Sequence, residues 1–262
     1  MSWGPFDLTG KGICVTGGGG HLGASITKIL ADAGATVLII GRNKSSLDQV
    51  VENCKSARGN VICMVGDISR DETITDAFLK LKVTSDGLTG LVNNAHSQNE
   101  SRGFQFSQRD VSEISQSLIS TMNCTKLIAE RMIADGTKGS IVNISSIYGL
   151  VSPDPLMYAD NPEMHNPAAY GAVKAGILQF SRFAAVHLAP NQIRVNSVTP
   201  GAFPNLDTQK NQKFIDKLTV KIPLGRIGLA DEIGGAIVYL MSSASNYVTG
   251  SNLIVDGGWT AV

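Results

Sequence analysis

Apolar residues in this chain fall into two kinds of pattern. The first is the short unbroken run: "GICVT", "ATVLII", "VICMVG", "GLVNNA", "GSIVNIS", "IRVNSV" and "NLIVD". The second is the longer stretch in which apolar residues return every three or four positions. In "LGASITKILADAG", Leu22, Ile26, Ile29 and Leu30 share one helical face and Gly34 is a stop signal. "TITDAFLKLK", residues about 111–134, residues 168–187 and "ADEIGGAIVYLMSS" read as helices in the same way. Strands that are apolar throughout are expected where a parallel sheet is covered on both faces. Strands alternating with helices imply right-handed crossovers. The expectation is an α/β protein: a doubly wound parallel sheet of about seven strands with helices on both faces. No Pro/Ser/Gly-rich linker, repeat or break in composition divides the chain, so residues 1–262 read as one domain.

Charge narrows the partners. Lys plus Arg and Asp plus Glu number 22 each, and no basic run stands out. That balance gives no electrostatic footprint for nucleic acid or a membrane surface. The N-terminal "MSWGPFDLTGKG" lacks the basic-then-apolar order of a signal peptide, and no apolar run is long enough to span a bilayer. The chain is expected to be soluble and cytoplasmic, with a small molecule as its partner. Cys14, Cys54, Cys63 and Cys124 form no C-x-x-C pair and read as small hydrophobes in a reducing compartment. No metal site is expected.

The chemistry starts at "TGGGGHLG". Gly18, Gly20 and Gly23 fit G-x-G-x-x-G; Gly17, Gly20 and Gly23 fit G-x-x-G-x-x-G. A third spacing, G-x-x-x-G-x-G, fails only at His21. Between a strand and a helix, such a stretch is a phosphate-binding turn. Glycines let the backbone approach a pyrophosphate, and the helix N-terminus supplies N–H groups and the positive end of a dipole. The second strand ends "IIGRNK", with Gly41 where an acid would hold the ribose 2′-hydroxyl of NAD. Arg42 follows, with Lys44 close behind, and a guanidinium there pairs with a 2′-phosphate. NADP(H) is therefore favoured over NAD(H). In "YGAVK", Tyr170 and Lys174 stand one helical turn apart on one face. A free tyrosine titrates near pH 10, and a neighbouring ammonium favours the phenolate, which suits acid–base work.

"TGGGGHLG", "LVNNA", "IVNISS", "YGAVK", "IRVNSVTPG" and "YVTGSNLIVDGG" stand in the order and spacing of the short-chain dehydrogenase/reductase family, and the chain resembles it over nearly its whole length. The resemblance implies a Rossmann fold and a catalytic tetrad. Tyr170 would be the acid–base. Lys174 would hold the nicotinamide ribose and lower the tyrosine pKa. Ser146 would hydrogen-bond the substrate oxygen. Asn123 would hold a water linking Lys174 to solvent, while Asn143 supports the strands. Cofactor contacts are implied at Gly17, Gly20, His21, Leu22, Gly23 and Arg42, and at Asp67 and Ile68 beside the adenine. Asn93, Asn94 and Ala95 of "NNA" would lie against the cofactor, as would Tyr170, Lys174 and the loop of Pro200, Gly201 and Phe203. The family also implies a homotetramer or homodimer. Helices 111–134 and 168–187 would form one interface and the C-terminal strand region another. Residues 202–222 fall where the family has a mobile substrate lid.

Four departures stand out. His21 replaces the middle glycine; Gly20 is the substitute, and the imidazole either reaches a cofactor phosphate or is merely tolerated. His96 replaces the glycine that completes "NNAG", and it either reshapes the nicotinamide end or occupies a loop. Asn205 stands for the usual Thr, a mild change. Finally, Tyr170 follows Ser146 by 24 positions where the family has about a dozen. The extra residues, within 147–167, include four prolines, Tyr148, Tyr158, Asp154, Asp160, Glu163 and His165. Their polarity favours a hydroxylated substrate over a steroid or acyl chain; the other reading is a surface excursion serving oligomer contacts. "SSIYG" with this loop, and "NNAHSQN", are similar to short-chain enzymes of bacterial surface or flagellar sugar modification. The expected activity is interconversion of a carbonyl and a secondary alcohol, on a sugar or polyol. The rivals are a sugar-nucleotide epimerase or dehydratase, expected to carry a further substrate domain, and a non-catalytic dinucleotide sensor, expected to have lost the Tyr or Lys.

Overall fold

The computed structural model describes residues 4–85, 87–96 and 108–262. Among the described residues seven strands form one parallel sheet in the order β3-β2-β1-β4-β5-β6-β7. They are β1 (Gly12–Thr16), β2 (Thr36–Gly41), β3 (Asn60–Val65), β4 (Leu88–Asn93), β5 (Gly139–Ile144), β6 (Ile193–Pro200) and β7 (Asn252–Val255). Every neighbouring pair is parallel.

The unbroken apolar runs follow from two covered faces. Ile13, Val15, Val37, Ile39, Val142 and Ile144 point into one core, which is closed by α1 (His21–Asp32), α2 (Lys44–Asn53) and, late in the chain, α9 (Gly234–Met241). Cys14, Leu38, Ile40 and Ile141 point into the other, closed by α3 (Asp71–Thr84), α5 (Ser120–Ala134) and α6 (Ala168–Leu188). Successive residues of one strand thus serve opposite cores, and few positions are left for a polar side chain.

Four differences from the periodicity are informative. Helix α2 was not expected, because its only buried side chains are Leu47 and Val50; Asn43 starts it by accepting from the Ser46 amide at 3.1 Å. The long helix is three pieces: α4 (Gln108–Glu113), a π-helical stretch Ile114–Ile119, and α5. The expected late helix begins as a tight 3-10 turn, Ala230–Ile233, before α9. The segment expected as a lid carries two helices of its own, α7 (Leu206–Gln209) and α8 (Gln212–Lys221). Of "NNAHSQN", the last three residues lie outside the described part of the chain.

Order in the sheet reverses between β1 and β4: the chain runs outward to β3, then crosses back. A crevice opens there beyond the carboxyl ends of the strands, and this is where ligands sit in open α/β sheets.

Candidate active site

The turn after β1 occupies that crevice. Gly17 has φ +67°, a left-handed conformation, and a Cβ on it would stand 2.9 Å from the Ala95 Cα. Gly23 is needed for a different reason: a Cβ there would lie 2.1 Å from the Gly17 carbonyl oxygen. Gly20 caps α1 without a side-chain bond, and the first bond of the helix runs from the Ala24 amide to the Gly20 carbonyl at 2.8 Å. The amides of His21, Leu22 and Gly23 precede that bond and face the crevice as the N-terminal end of a helix dipole.

The neighbouring strand end is tied to this turn. Thr16 Oγ1 accepts from the amides of Asn94 and Ala95, both at 3.1 Å. The Asn94 carboxamide donates to the carbonyls of Thr16 at 3.2 Å and Gly17 at 3.1 Å. Asn93 does otherwise. Its Nδ2 donates into the sheet, to Thr125 at 3.0 Å and Asn143 at 2.8 Å, and Asn143 passes the chain on to Ser181 at 2.9 Å. The expectation that Asn93 lies against a cofactor is therefore corrected: alternation along β4 turns it inward. Asn143 has the supporting place expected of it.

A cavity of about 850 Å³ runs from this turn along the sheet's edge. At one end it is lined by Gly17, Gly20, His21, Leu22, Gly23, Arg42, Asp67 and Ile68. Asn94, Ala95, Pro200, Gly201 and Phe203 line its middle and far walls with Ser146, Tyr170 and Lys174. Residues that motif reasoning did not single out also contribute, among them Asn43, Ser46, Gln116 and Ser145. Gln116 sits in the π-helical stretch, and such stretches recur at functional sites.

The reacting end is built on β5 and α6. Lys174 is 3% exposed; its ammonium donates to the Ile144 carbonyl at 3.0 Å and lies 5.6 Å from the centre of the Tyr170 ring. Ser145 clamps the same helix, donating to the Lys174 carbonyl at 2.8 Å. Ser146 Oγ accepts from the Tyr148 amide at 3.2 Å and so starts the short turn Ile147–Gly149. His96 meets the Tyr170 ring edge-on at 6.2 Å between centroids, so it belongs to the wall of this end.

Asn123 is not brought to Lys174. Its carboxamide donates to Asp71 at 2.6 Å, on the seam between α5 and α3 and outside the cavity lining. The expected place of Asn123 in a proton path is corrected accordingly.

Arg42 reaches the cavity from the end of β2, while Lys44 is engaged elsewhere, in an exposed ion pair with Asp48 at 2.5 Å. Asp67 is held below the usual carboxylate range by the Ser69 amide and hydroxyl, with a smaller contribution from Arg42. Partial burial lowers the His21 pKa, which keeps its imidazole neutral at pH 7. Burial raises the thiols of Cys14 and Cys124, which makes both inert. Among the described residues no cluster of His, Cys, Asp and Glu could hold a metal ion, and no helix is long and apolar enough to cross a membrane.

The extra residues 147–167 pack against α8. Met157 and Tyr158 pack with Phe214, Ile215 and Leu218 of α8 in a small core of their own. Polar contacts edge it: Asn211 donates to Asn161 at 2.7 Å, Lys217 pairs with Asp160 at 2.6 Å, and Lys221 with Asp154 at 2.8 Å. The polarity seen in the sequence is thus the rim of an apolar contact. Asn205 caps α7, accepting from the Thr208 amide at 2.8 Å.

Comparison with known proteins bears on this geometry. The family model described as enoyl-(acyl carrier protein) reductase matches residues 20–260. The chain is 32% identical over 263 residues to L-xylulose reductase of Caenorhabditis elegans, covering 97% of this chain and 98% of that protein. It is also 32% identical over 253 residues to the 3-oxoacyl-[acyl-carrier-protein] reductase of Thermotoga maritima, covering 96% and 98%. A solved gluconate 5-dehydrogenase from Burkholderia cenocepacia, in complex with NADP and tartrate, superposes with a TM-score of 0.84 at 27% identity over 98% of both chains.

Proposed function

The chain belongs to the short-chain dehydrogenase/reductase family, and on that premise we propose that it is an NADP(H)-preferring enzyme that interconverts a ketone and a secondary alcohol on a polyhydroxylated substrate. NAD(P)-dependent carbonyl/alcohol oxidoreduction is the reaction class its relatives define. The observation that carries the reading is the convergence of Ser146, Tyr170 and Lys174 on one cavity whose other end is the glycine turn.

The residues fit a dinucleotide. Gly17 and Gly23 leave the backbone bare where a pyrophosphate would rest, with the amides that open α1 facing it. Arg42, with Gly41 in place of an acid, suits a 2′-phosphate. Asp67 and Ile68 would flank the adenine, and Pro200, Gly201 and Phe203 would place the carboxamide of the nicotinamide. When bound, NADP(H) supplies or accepts the hydride at its nicotinamide ring.

The chain's own residues handle the oxygen and the proton. Ser146 Oγ accepts from Tyr148, which leaves its own proton to donate to the substrate oxygen. Tyr170 Oη gives the proton in reduction and takes it back in oxidation. Lys174, fixed by the Ile144 carbonyl, brings a positive charge beside the phenol and favours its ionised form. His96, in the wall of this end, would help to exclude water from it.

Support for a hydroxylated substrate comes from the relative named for L-xylulose and from the neighbour solved with tartrate. A 3-oxoacyl substrate is the second reading, favoured by the acyl-carrier-protein relatives and by the apolar core under the lid. The domain reads as one unit, with substrate contacts from 147–167 and 202–222. Phe183, Val186, Met122 and Ile119 are exposed on α6, on α5 and at the end of the π-helical stretch, and Tyr247 and Val262 near the C-terminus; a homotetramer or homodimer would bury them. The test is NADPH and NADH oxidation against keto-sugars, 3-oxoacyl thioesters and simple ketones. Turnover of keto-sugars with NADPH is expected. Preference for the thioesters would select the second reading. Nucleotide binding with no turnover of any ketone would indicate a sensor.

A further inference from the structure

His96 stands in the wall of the reacting end, and the proton chemistry above does not use it. The backbone before it is pinned. Thr16 Oγ1 accepts from the Asn94 and Ala95 amides, both at 3.1 Å, and a Cβ on Gly17 would stand 2.9 Å from the Ala95 Cα. His96 follows directly, at the position where the motif usually has a glycine, so its ring is an addition to a wall otherwise made of backbone. The imidazole lies 6.2 Å from the Tyr170 ring between centroids, with the planes at 73°, and it lines the same cavity as Ser146, Tyr170 and Lys174. A ketone whose oxygen meets Ser146 and Tyr170 therefore lies beside it.

The described groups around that place are mainly hydrogen-bond donors. Ser146 has its proton to give, because its oxygen accepts from the Tyr148 amide at 3.2 Å. Tyr170 adds a phenol, and Lys174 a buried ammonium 5.6 Å from the centre of the Tyr170 ring. Asn205 accepts from the Thr208 amide through Oδ1 at 2.8 Å, which leaves its Nδ2 hydrogens for the cavity it lines. Asp67 lies at the other end of the cavity with Arg42, and its carboxylate takes the Ser69 amide at 2.9 Å. The reacting end thus offers donors and a positive potential, which suits a ligand rich in acceptors. An imidazole has two ring nitrogens, so a contact made by one leaves the other for a ligand. An anion beside it favours the charged ring, in which both nitrogens donate.

We propose that His96 binds a carboxylate one or two carbons from the reacting carbonyl, which makes 2- and 3-oxo acids, with the hydroxy acids they interconvert with, the substrate class of this site. The proposal rests on the reductase reading above and deepens it: among hydroxylated ketones it selects the acids over the neutral sugars. The short range follows from the place of the ring beside Tyr170.

The test compares hydroxypyruvate with dihydroxyacetone, and acetoacetate with 4-hydroxy-2-butanone. Within each pair the ketones differ only in a carboxylate against a hydroxymethyl group. In at least one pair the wild type is expected to favour the acid in kcat/KM by about tenfold or more, the worth of one hydrogen bond to a charged group. His96→Ala should lower that ratio by about tenfold, chiefly through the KM for the acid. His96→Gln, which keeps a donor without the charge, should fall between the two. His96 is exposed, so neither variant empties a core. Equal losses on both members of each pair, or no preference in either pair, would overturn the proposal, while turnover of the neutral ketones would leave the reductase reading intact. Binding is read separately, by quenching of NADPH fluorescence in the Tyr170→Phe complex titrated with each ketone. If no ketone is turned over, a preference for the acid that His96→Ala removes still upholds the proposal, and equal binding or none overturns it.

Discussion

The two ends of the cavity are built in different ways. At the glycine turn, backbone meets backbone: the Gly17 carbonyl, the amides opening α1 and the strand ends of β1 and β4 lie against one another, joined by Thr16 and Asn94. At the roof, side chains from 147–167 meet side chains of α8, some fifty to seventy positions further along. The first end tolerates almost no added atom. The second is a small core edged by exposed ion pairs, and such pairs contribute little to stability. In the proposed reading the cofactor rests on the first kind of construction and the substrate meets the second.

Breaking the first end should have the largest effect. In Gly23→Val the side chain has no room beside the Gly17 carbonyl, and the turn must open. NADPH affinity should fall by roughly a hundredfold or more, since aligned amides and charge-assisted bonds are lost together; fluorescence titration checks this. Breaking the roof should leave that affinity alone. Phe214→Ala removes the side chain at the centre of the small core, a loss of about 3 kcal/mol by analogy with other buried phenylalanines. The KM for the ketone should rise with the NADPH affinity unchanged within about twofold. A matching fall in NADPH affinity would show that the two ends are not separable.

Arg42→Ala sharpens the comparison within the first end. It should weaken NADPH roughly ten- to a hundredfold and NADH hardly at all, as expected for loss of one charged pair; equal losses would remove the 2′-phosphate from the account. The smallest effect is expected at His21. Its imidazole is neutral at pH 7 because partial burial lowers its pKa. A phosphate beside it would favour the charged form, so binding would take up a proton and affinity would rise as pH falls from 8 to 6. His21→Gly should remove that part of the pH dependence, a change of about threefold at pH 6. An unchanged profile would make His21 a tolerated bystander.

The same contrast explains what could be read before the structure. The sheet, its two cores and the glycine turn are local in sequence: period, apolar runs and strand-to-helix context are enough. All the residues expected to touch the cofactor line the cavity except Asn93, where strand alternation turned the side chain inward. Helix α2 was hidden because two buried residues make no visible stripe. Asn123 was placed by resemblance alone, and nothing local in the sequence shows that its side chain turns to Asp71 on the seam between α5 and α3. The packing of Tyr158 was invisible for a third reason. Its neighbours Phe214, Ile215 and Leu218 belong to a helix that no sequence period linked to the extra residues.

The central claim is that Tyr170 moves the proton at a site that binds the nucleotide independently of it. Single-turnover oxidation of NADPH by the keto-sugar identified in the substrate panel, run on the wild type and on Tyr170→Phe with cofactor affinity measured on both, tests it most directly. Hydride transfer in Tyr170→Phe should drop by roughly a thousandfold or more, while NADPH affinity stays within about threefold of the wild type. Transfer retained at near the wild-type rate would contradict the account.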